Sequence, residues 1–213
     1  PRIAAKRSDV HQRSGGSDLK NGPYIFCPLQ VPGDSQITVF GDWIKSVDTM
    51  IEHLAVASAA LPEGWHLRIK EHPSAEVSFS DRIAQIAGQR VILDNTTNTL
   101  DQIENAQAVL TVNSSVGFES IFFDKPVIVL GKAFYDLEGV AIKTTSCNHL
   151  ARMLSRPDQF RFDARLRDSF MSYITSIQFP IEADVVAGKT TLNEIIARDL
   201  ARDAILVELG QLE

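Results

Sequence analysis

One stretch, from Ala108 to Gly131 (AVLTVNSSVGFESIFFDKPVIVLG), constrains the fold of this chain more than any other. A largely apolar run, a short polar turn, a segment with helical spacing and a second apolar run follow one another within it. This order predicts a strand over 108–112, a helix over 116–123 and a strand over 126–130, which together form one βαβ unit. In such a unit the helix begins beyond the carboxyl end of the first strand, so its free N–H groups face the crevice in which open α/β sheets bind ligands.

The turn of this unit carries polar groups that suit an anionic ligand. Asn113, Ser114 and Ser115 lie between the strand and the helix, and the two hydroxyls can either donate to a phosphate or cap the helix. Gly117 removes a side chain from the first helical turn, so a ligand can approach the backbone there. With Ser115 as the N-cap, Glu119 lies one position too late for a capping box. Its carboxylate then either accepts hydrogen bonds from a ribose diol or only complements the helix dipole.

Strands and helices alternate along the rest of the chain. Short apolar runs at 24–30, 65–70 and 90–93 are each followed by a polar loop and a segment with helical spacing, and an edge strand is expected at 140–143. Alternation at this spacing predicts an α/β fold, a Rossmann-like open parallel sheet flanked by helices and joined by right-handed crossovers.

The chain divides into three regions by composition. Residues 1–22 are polar and include a Ser-Gly-Gly-Ser sequence, which indicates an arm or an interdomain linker. Residues 23–155 contain the predicted Rossmann-like domain, and residues 156–213 contain helices expected to pack on the same domain. Because the first ordered element follows a long polar lead, we expect either the second half of a larger protein or an independently made protein with a loose arm.

Composition excludes several classes of function. The 213 residues are 44% apolar, enough for a substantial core. A formal net charge of −6 without a basic stripe argues against nucleic-acid binding, and no apolar run approaches the length of a transmembrane helix. The two cysteines, Cys27 and Cys147, are isolated and cannot form a disulfide framework, which indicates reduced thiols in a cytoplasmic protein.

Loops at other strand ends bring more polar side chains to the same crevice. Gln30 ends the first apolar run, and residues 34–36 follow it as either ordinary turn residues or ligand contacts. Pro73 holds the backbone of His72 extended, so its imidazole lies at the end of a strand and can donate to a phosphate oxygen; a solvated loop histidine is the alternative. Tyr135, in the loop after the second strand of the βαβ unit, can stack on or hydrogen-bond to a ligand.

Three motifs occur in order along residues 23–145. They are His72-Pro73 after a basic-ended strand, Asn113-Ser114-Ser115-x-Gly117-x-Glu119 about forty residues later, and Lys125-Pro126 opening an apolar strand that a tyrosine follows. This set resembles the capsule polysaccharide synthesis family, whose members resemble retaining β-Kdo glycosyltransferases of GT-B architecture that use CMP-Kdo as donor. The resemblance implies that His72, Ser114 and Ser115 hold the donor phosphate and the cytosine-nucleotide end, with Glu119 on the ribose. The other residues of the expected donor site are Gln30, Asn113, Gly117 and Tyr135.

The same resemblance implies the partners. In such enzymes the nucleotide sugar binds the C-terminal Rossmann-like half, and the glycan or glycolipid acceptor is bound mostly by an N-terminal half or partner protein. No cofactor is expected, and since no His, Cys or Asp cluster has metal-ligand spacing, we expect a metal-independent enzyme. The location would be cytoplasmic and peripheral to the inner face of a bacterial inner membrane. The residues do not single out a catalytic acid or base among Asp34, Glu71 and Glu138.

Two other functions stay open at this point. A CDP-glycerol or ribitol-phosphate transferase of the teichoic-acid type resembles the same pattern of His-Pro and paired serines. Its segment before the serines usually reads Thr-Asp-x-Ser-Ser, whereas here Asn113 precedes Ser114 directly. A non-catalytic module of a capsule assembly complex is the other alternative, with the long helix expected at 192–209 as a surface for a partner protein.

Overall fold

A computed structural model describes Leu19 and residues 22–86 and 90–174. Within them, six strands form one sheet in which every neighbouring pair is parallel. The strands are β1 (Tyr24–Pro28), β2 (His66–Lys70), β3 (Val91–Leu93), β4 (Ala108–Thr111), β5 (Val127–Val129) and β6 (Ile142–Lys143). The helices are α1 (Ser35–Thr38), α2 (Val47–Ser58), α3 (Ser80–Ile86), α4 (Thr99–Asn105), α5 (Ser115–Ile121), α6 (Cys147–Leu154) and α7 (Ala164–Tyr173), with a 3₁₀ turn at Pro157–Gln159.

The strand order is β3-β2-β1-β4-β5-β6, which is the doubly wound Rossmann arrangement. The chain builds outward from β1 through β2 to β3, then returns to the other side of β1 and continues through β4 and β5 to β6. The reversal lies between β1 and β4, where the loops that follow these strands diverge and leave a crevice. The predicted α/β fold is confirmed, and the βαβ unit around α5 lies beside this reversal.

The sheet is covered on both faces, which explains why its central strands read as continuous apolar runs. Every residue of β1, β4 and β5 is buried. Alternate residues point to opposite sides. Ile25 and Leu110 join the larger core cluster with α2, whereas Phe26 and Val109 join a smaller cluster with α4. The crevice at the carboxyl ends of the strands therefore rests on a packed core.

The segment with helical spacing that follows the first apolar run extends over 43–60, but helix α2 begins only at Val47. Ser46 caps α2 by accepting a hydrogen bond from the Thr49 N–H at 3.1 Å. Asp42 has a φ of 58°, which interrupts helical backbone just before this point. The short helix α1 was missed altogether, because its four residues show no periodicity.

The structure divides into two compact units, one up to Phe162 and one from Asp163. Helix α7 of the second unit begins at a cap in which Asp163 accepts from the Arg165 and Leu166 N–H groups. The helix predicted at 192–209 and most of the predicted arm at 1–22 lie outside the described residues. Packing of the C-terminal helices on the Rossmann-like domain stays a prediction. No helix within 22–86 or 90–174 combines the length and apolar character that crossing a bilayer requires.

Candidate functional site at the switch point of the sheet

A cleft of about 350 Å³ opens at the carboxyl edge of the sheet, at the reversal between β1 and β4. Open α/β sheets bind their ligands at this position. The loops that follow β1, β2, β4 and β5 supply its lining, which consists of Gln30, Val31, Asp34, Gln36, His72, Asn113, Ser114, Ser115 and Phe134. The structure therefore brings together five residues that the sequence analysis placed in one site, namely Gln30, His72, Asn113, Ser114 and Ser115.

The two serines present hydroxyls at the start of α5. The N-cap of this helix is Ser114, not Ser115 as the sequence analysis expected: Ser114 Oγ accepts from the Val116 N–H at 3.2 Å. Its hydroxyl hydrogen stays available to a ligand, because the cap uses only the oxygen as an acceptor. Ser115 is exposed, and its hydroxyl makes no hydrogen bond with any described residue. Both hydroxyls can therefore donate to an anion in the cleft.

Gly117 and Tyr135 support the serine turn from behind and do not line the cleft. The Tyr135 ring is fully buried, and its hydroxyl donates to the Ser114 carbonyl at 2.6 Å. A Cβ on Gly117 would lie 2.3 Å from that hydroxyl oxygen and 2.8 Å from Thr111 Cγ2. The expectations that Gly117 admits a ligand and that Tyr135 stacks on one are therefore wrong. Gly117 is needed because the tyrosine passes directly behind it.

Asn113 joins three segments around the cleft. Its Nδ2 donates to the carbonyls of Gln36, Lys132 and Phe40 at 2.7, 3.2 and 3.3 Å. This fixes the amide orientation, so Oδ1 is an acceptor, and it receives a hydrogen bond of 2.9 Å from Gln30 Nε2. The Asn113 side chain thus ties the loop after β5 to α1 and to the loop after β1.

Gln30 is held in turn by this network. Because its Nε2 donates to Asn113, its Oε1 is the group that remains, and this atom is buried without a hydrogen-bond partner among the described residues. Gln30 as a whole is only 6% exposed. A buried polar atom without a partner is costly. The cleft therefore favours a ligand that places an N–H or O–H donor at this position.

His72 reaches the cleft from the loop after β2. Its Nδ1 accepts a hydrogen bond from the Ser74 N–H at 3.1 Å. In the neutral imidazole the proton therefore resides on Nε2, which makes Nε2 a donor. The predicted role of His72 as a donor at the crevice edge agrees with this tautomer.

Glu71, next to His72, anchors the loop instead of facing a substrate. Its carboxylate accepts from the Phe79 N–H, the Asn95 amide and the hydroxyls of Ser78 and Ser80. Burial raises the pKa of this carboxyl, but the four hydrogen bonds outweigh burial and hold the pKa below its ordinary value. Glu71 is thus committed to the start of α3.

Asp34 lies in the cleft and also performs turn chemistry. Its Oδ1 accepts from the Gln36 N–H at 2.9 Å and caps α1. The turn role considered for residues 34–36 is therefore confirmed for Asp34, and a ligand contact by this carboxylate stays a prediction. Glu138, the third acid considered, is exposed in the loop before β6 and does not line the cleft.

Phe134 is an aromatic cleft residue that sequence reasoning missed. Its side chain is 55% exposed and lines the cleft, and its ring centre lies 5.1 Å from that of Phe118. The sequence analysis chose its neighbour Tyr135. Within an irregular loop no periodicity shows which of two adjacent aromatic residues faces the cleft and which is buried in the core. An aromatic face is therefore available in the cleft, one residue earlier than predicted.

Glu119 lies one helical turn beyond Ser115 on α5. Residues four apart share a helix face, so its carboxylate is on the side of α5 that carries the Ser115 hydroxyl. It does not line the cleft itself. The side chain is half-buried, makes no hydrogen bond or ion pair with a described residue, and has a pKa raised by burial. The helix thus carries a partly desolvated acceptor one turn, about 5.4 Å, beyond the hydroxyl pair.

Among residues 22–86 and 90–174, no three His, Cys, Asp or Glu side chains are grouped so that they could hold a metal ion. The charged side chains near the loop after β2 hold neighbouring strands together and do not line the cleft. Arg68 forms a buried ion pair of 2.7 Å with Asp94, and Lys70 donates to the carbonyls of Asn95 and Thr97 at 3.0 and 2.7 Å. These contacts tie the end of β2, which precedes His72, to the loop that follows β3.

Comparison with known proteins gives concordant matches. A family model described as "Capsule polysaccharide biosynthesis protein" matches residues 4–180. Protein FixF of Sinorhizobium fredii is 31% identical over 157 residues, which are 74% of this chain and 38% of FixF. Capsule polysaccharide export protein KpsS of Escherichia coli is 27% identical over 158 residues, 71% of this chain and 39% of KpsS. The chain thus spans about two fifths of the length of these relatives.

Solved structures with a similar fold include KpsC of Thermosulfurimonas dismutans, described as a β-Kdo 2,7 transferase. It is 25% identical, with a TM-score of 0.46 over 62% of this chain and 44% of that one. A UDP co-structure of MnaA from Staphylococcus aureus matches at 14% identity and a TM-score of 0.49, over 80% of this chain and 50% of that one.

Proposed function

The chain belongs to the capsule polysaccharide biosynthesis protein family, and we propose that its cleft is the donor site of a glycosyltransferase that binds a CMP-activated sugar, CMP-Kdo in particular. The observation that carries this proposal is the convergence of a serine pair, a histidine and a buried free acceptor at the switch point of the sheet. These groups come from loops after three different strands, and each suits a different part of a nucleotide sugar.

The phosphate is held by the donors of the cleft. The hydroxyls of Ser114 and Ser115 and the Nε2–H of His72 all donate, and the anion is their natural partner. During transfer, the bond between the anomeric carbon and the phosphate oxygen breaks and its electron pair goes to that oxygen. The oxygen of the acceptor hydroxyl bonds the anomeric carbon, and the hydroxyl proton goes to a base outside this chain. The donors therefore stabilise the leaving phosphate as its charge develops. We expect this stabilisation to operate without a metal ion.

The nucleoside extends along α5. From a phosphate at the serine pair, a ribose one helical turn further meets Glu119, whose carboxylate accepts hydrogen bonds from the diol. The exposed face of Phe134 is positioned to pack against a planar or ring-shaped group in the cleft. Gln30 Oε1 accepts from a donor of the ligand, either a sugar hydroxyl or the exocyclic amine of cytosine; uracil presents an acceptor in place of that amine.

Partners supply the other parts of the proposed enzyme. The chain spans only about two fifths of its relatives' length. We therefore propose that an N-terminal GT-B half or a partner protein supplies the binding site for a glycan or glycolipid acceptor together with the acid and base. The expected location is the cytoplasmic side, peripheral to the inner membrane. Alone, the chain is expected to bind the nucleotide and to transfer little sugar.

Isothermal titration calorimetry with CMP, CDP and UMP tests the proposal. We expect saturable CMP binding that is weaker for UMP and is reduced at least about tenfold by His72→Ala and by Ser115→Ala, since each removes one hydrogen bond to a charged group. His149→Ala and Thr145→Ala are matched controls, because both change a similar side chain outside the cleft, and they should leave CMP affinity unchanged. Preference for CDP would favour the teichoic-acid type of transferase. No heat of binding with any of the three nucleotides would leave only the alternative of a non-catalytic interaction module.

A further inference from the structure

A second concavity, of about 660 Å³, lies beside β6, the last strand in the order of the described sheet. It is formed by β6, α6 and the 3₁₀ turn that follows α6, all within the first compact unit. It shares no lining residue with the cleft at the switch point. We call it the edge groove, and its lining consists of Ile142, Lys143, His149, Arg152, Met153, Ser155, Arg156, Gln159, Phe160 and Arg161.

The edge groove is strongly basic in a chain whose formal net charge is −6. Among the described residues, one lysine, one histidine and three arginines line it, and no carboxylate does. Lys143 is neutralised by Asp136 at 2.9 Å. Arg152 and Arg156 are exposed, and their guanidinium groups form no hydrogen bond or ion pair with any described residue. Their charges are therefore not compensated within the groove, which attracts anions.

Arg161 adds a third guanidinium that is held in place. Its Nη1 donates to the carbonyls of Asp158 and Phe160 at 2.6 and 2.7 Å. These bonds use one nitrogen and leave the other donors of the guanidinium for a ligand. The groove thus combines two exposed arginines whose guanidinium groups have no partner among the described residues with a third that is oriented by backbone carbonyls.

Apolar side chains lie among these charges. Ile142 and Met153 are partly buried and Phe160 is buried, and all three line the groove. A sugar ring carrying an acidic group matches this combination, because its C–H face can pack on apolar atoms while its carboxylate or phosphate forms paired hydrogen bonds with a guanidinium. The concave shape and volume fit an inserted ligand better than a flat lipid surface.

We propose that the edge groove is a binding site for an acidic saccharide, with Arg152 and Arg156 holding its carboxylate or phosphate groups and the apolar residues contacting the ring. β6 is separated from β4 by one strand, so the groove lies about 10 Å along the sheet from the serine turn, given a strand spacing of about 4.8 Å. The proposal does not depend on the assignment of the donor cleft.

Binding of a fluorescent tetragalacturonate to the full 213-residue chain, measured by anisotropy, tests this site. We expect saturable binding that weakens with added salt and is lost for the methyl-esterified tetramer, which lacks the carboxylates. The double variant Arg152→Gln/Arg156→Gln should weaken binding about tenfold, the loss expected for two exposed ion pairs of the stronger kind. The matched control Lys45→Gln/Lys132→Gln removes the same charge from exposed positions of the same compact unit that do not line the groove, and it should change binding less than twofold.

Two outcomes would overturn the proposal. Equal weakening in both double variants would show that only net charge matters and would overturn the proposal. Binding to phosphatidylglycerol vesicles without binding to the tetramer would assign the groove to a membrane surface and would also overturn it. CMP titrations of Arg152→Gln/Arg156→Gln should match the unsubstituted chain, so failure here is distinguishable from failure of the donor site.

Discussion

Gly117→Ala is the substitution that most sharply separates packing from helix propensity in this protein. Gly117 lies inside α5, where propensity alone predicts that alanine stabilises the helix by about 1 kcal/mol. The structure predicts the opposite, because the new Cβ would lie 2.3 Å from the Tyr135 hydroxyl oxygen and 2.9 Å from its Cζ. Relief of this overlap requires the buried tyrosine to move.

The magnitude follows from two costs. Overpacking a well-packed site costs about 1 to 3 kcal/mol. Displacing the Tyr135 hydroxyl also breaks its 2.6 Å bond to the Ser114 carbonyl and leaves a buried phenol without a partner, which costs about 1 to 3 kcal/mol. After the gain in propensity, we expect Gly117→Ala to lower the free energy of unfolding by about 3 kcal/mol.

Urea unfolding followed by tryptophan fluorescence measures this change, since both tryptophans, Trp43 and Trp65, lie in the unit that contains α5. Tyr135→Phe is the control: alone it should cost about 1 kcal/mol, and in its presence Gly117→Ala should cost clearly less, because the closest clashing atom is gone. A Gly117→Ala variant as stable as the parent, or two substitutions whose costs simply add, would refute this reasoning.

Three further predictions concern side chains of the cleft, of α5 and of the scaffold at the ends of β2 and β3. Asn113→Asp replaces the amide that donates to three carbonyls with an acceptor, so we expect the free energy of unfolding in urea to fall by about 3 kcal/mol and CMP binding to be lost. Asn148→Asp, at an exposed position, should change neither quantity, and a stable Asn113→Asp variant would contradict the scaffold role. Burial raises the pKa of Glu119 in the folded chain, so the ionised carboxylate opposes folding above the pKa of the unfolded chain. Glu119→Gln should therefore raise the melting temperature at pH 7 while weakening CMP binding. A variant with both a lower melting temperature and weaker CMP binding would point to a structural role. The pKa of Asp94 is held far below its ordinary value, since hydrogen bonds from Thr97, Arg68 and Thr96 outweigh the effect of burial. The stabilisation that this gives is present above about pH 4 and is lost as pH falls, so the urea concentration at the unfolding midpoint should decrease when pH is lowered from 4. The decrease should be smaller in Asp94→Asn, and equal acid sensitivity of the two proteins would argue against this assignment.

The sequence predicted the architecture because apolar runs and their spacing depend on local periodicity. The βαβ unit around α5 and the alternation of strands and helices could be inferred in this way. The residues of the cleft could be inferred where they follow a strand directly, as His72 and Ser114 do, since the carboxyl ends of parallel strands meet at one edge.

Other features depend on contacts that no local pattern encodes. Asn113 is a scaffold residue because Gln36, Phe40 and Lys132 are brought to it from distant positions in the chain. Gly117 was assigned to ligand approach, because nothing in the sequence shows that Tyr135 passes behind it. The edge groove gathers residues from β6, α6 and the following turn, and its charge is hidden in an overall acidic composition.

The most direct test of the central claim is to locate CMP on the chain by NMR, from chemical-shift changes of backbone amides during a titration. We predict saturable shifts concentrated at Gln30, His72, Asn113, Ser114 and Ser115, with smaller shifts one turn along α5 near Glu119 and none at Arg152 or Arg156. Saturable shifts centred on another surface, or no shifts at millimolar CMP, would contradict the assignment of the switch-point cleft as a nucleotide site.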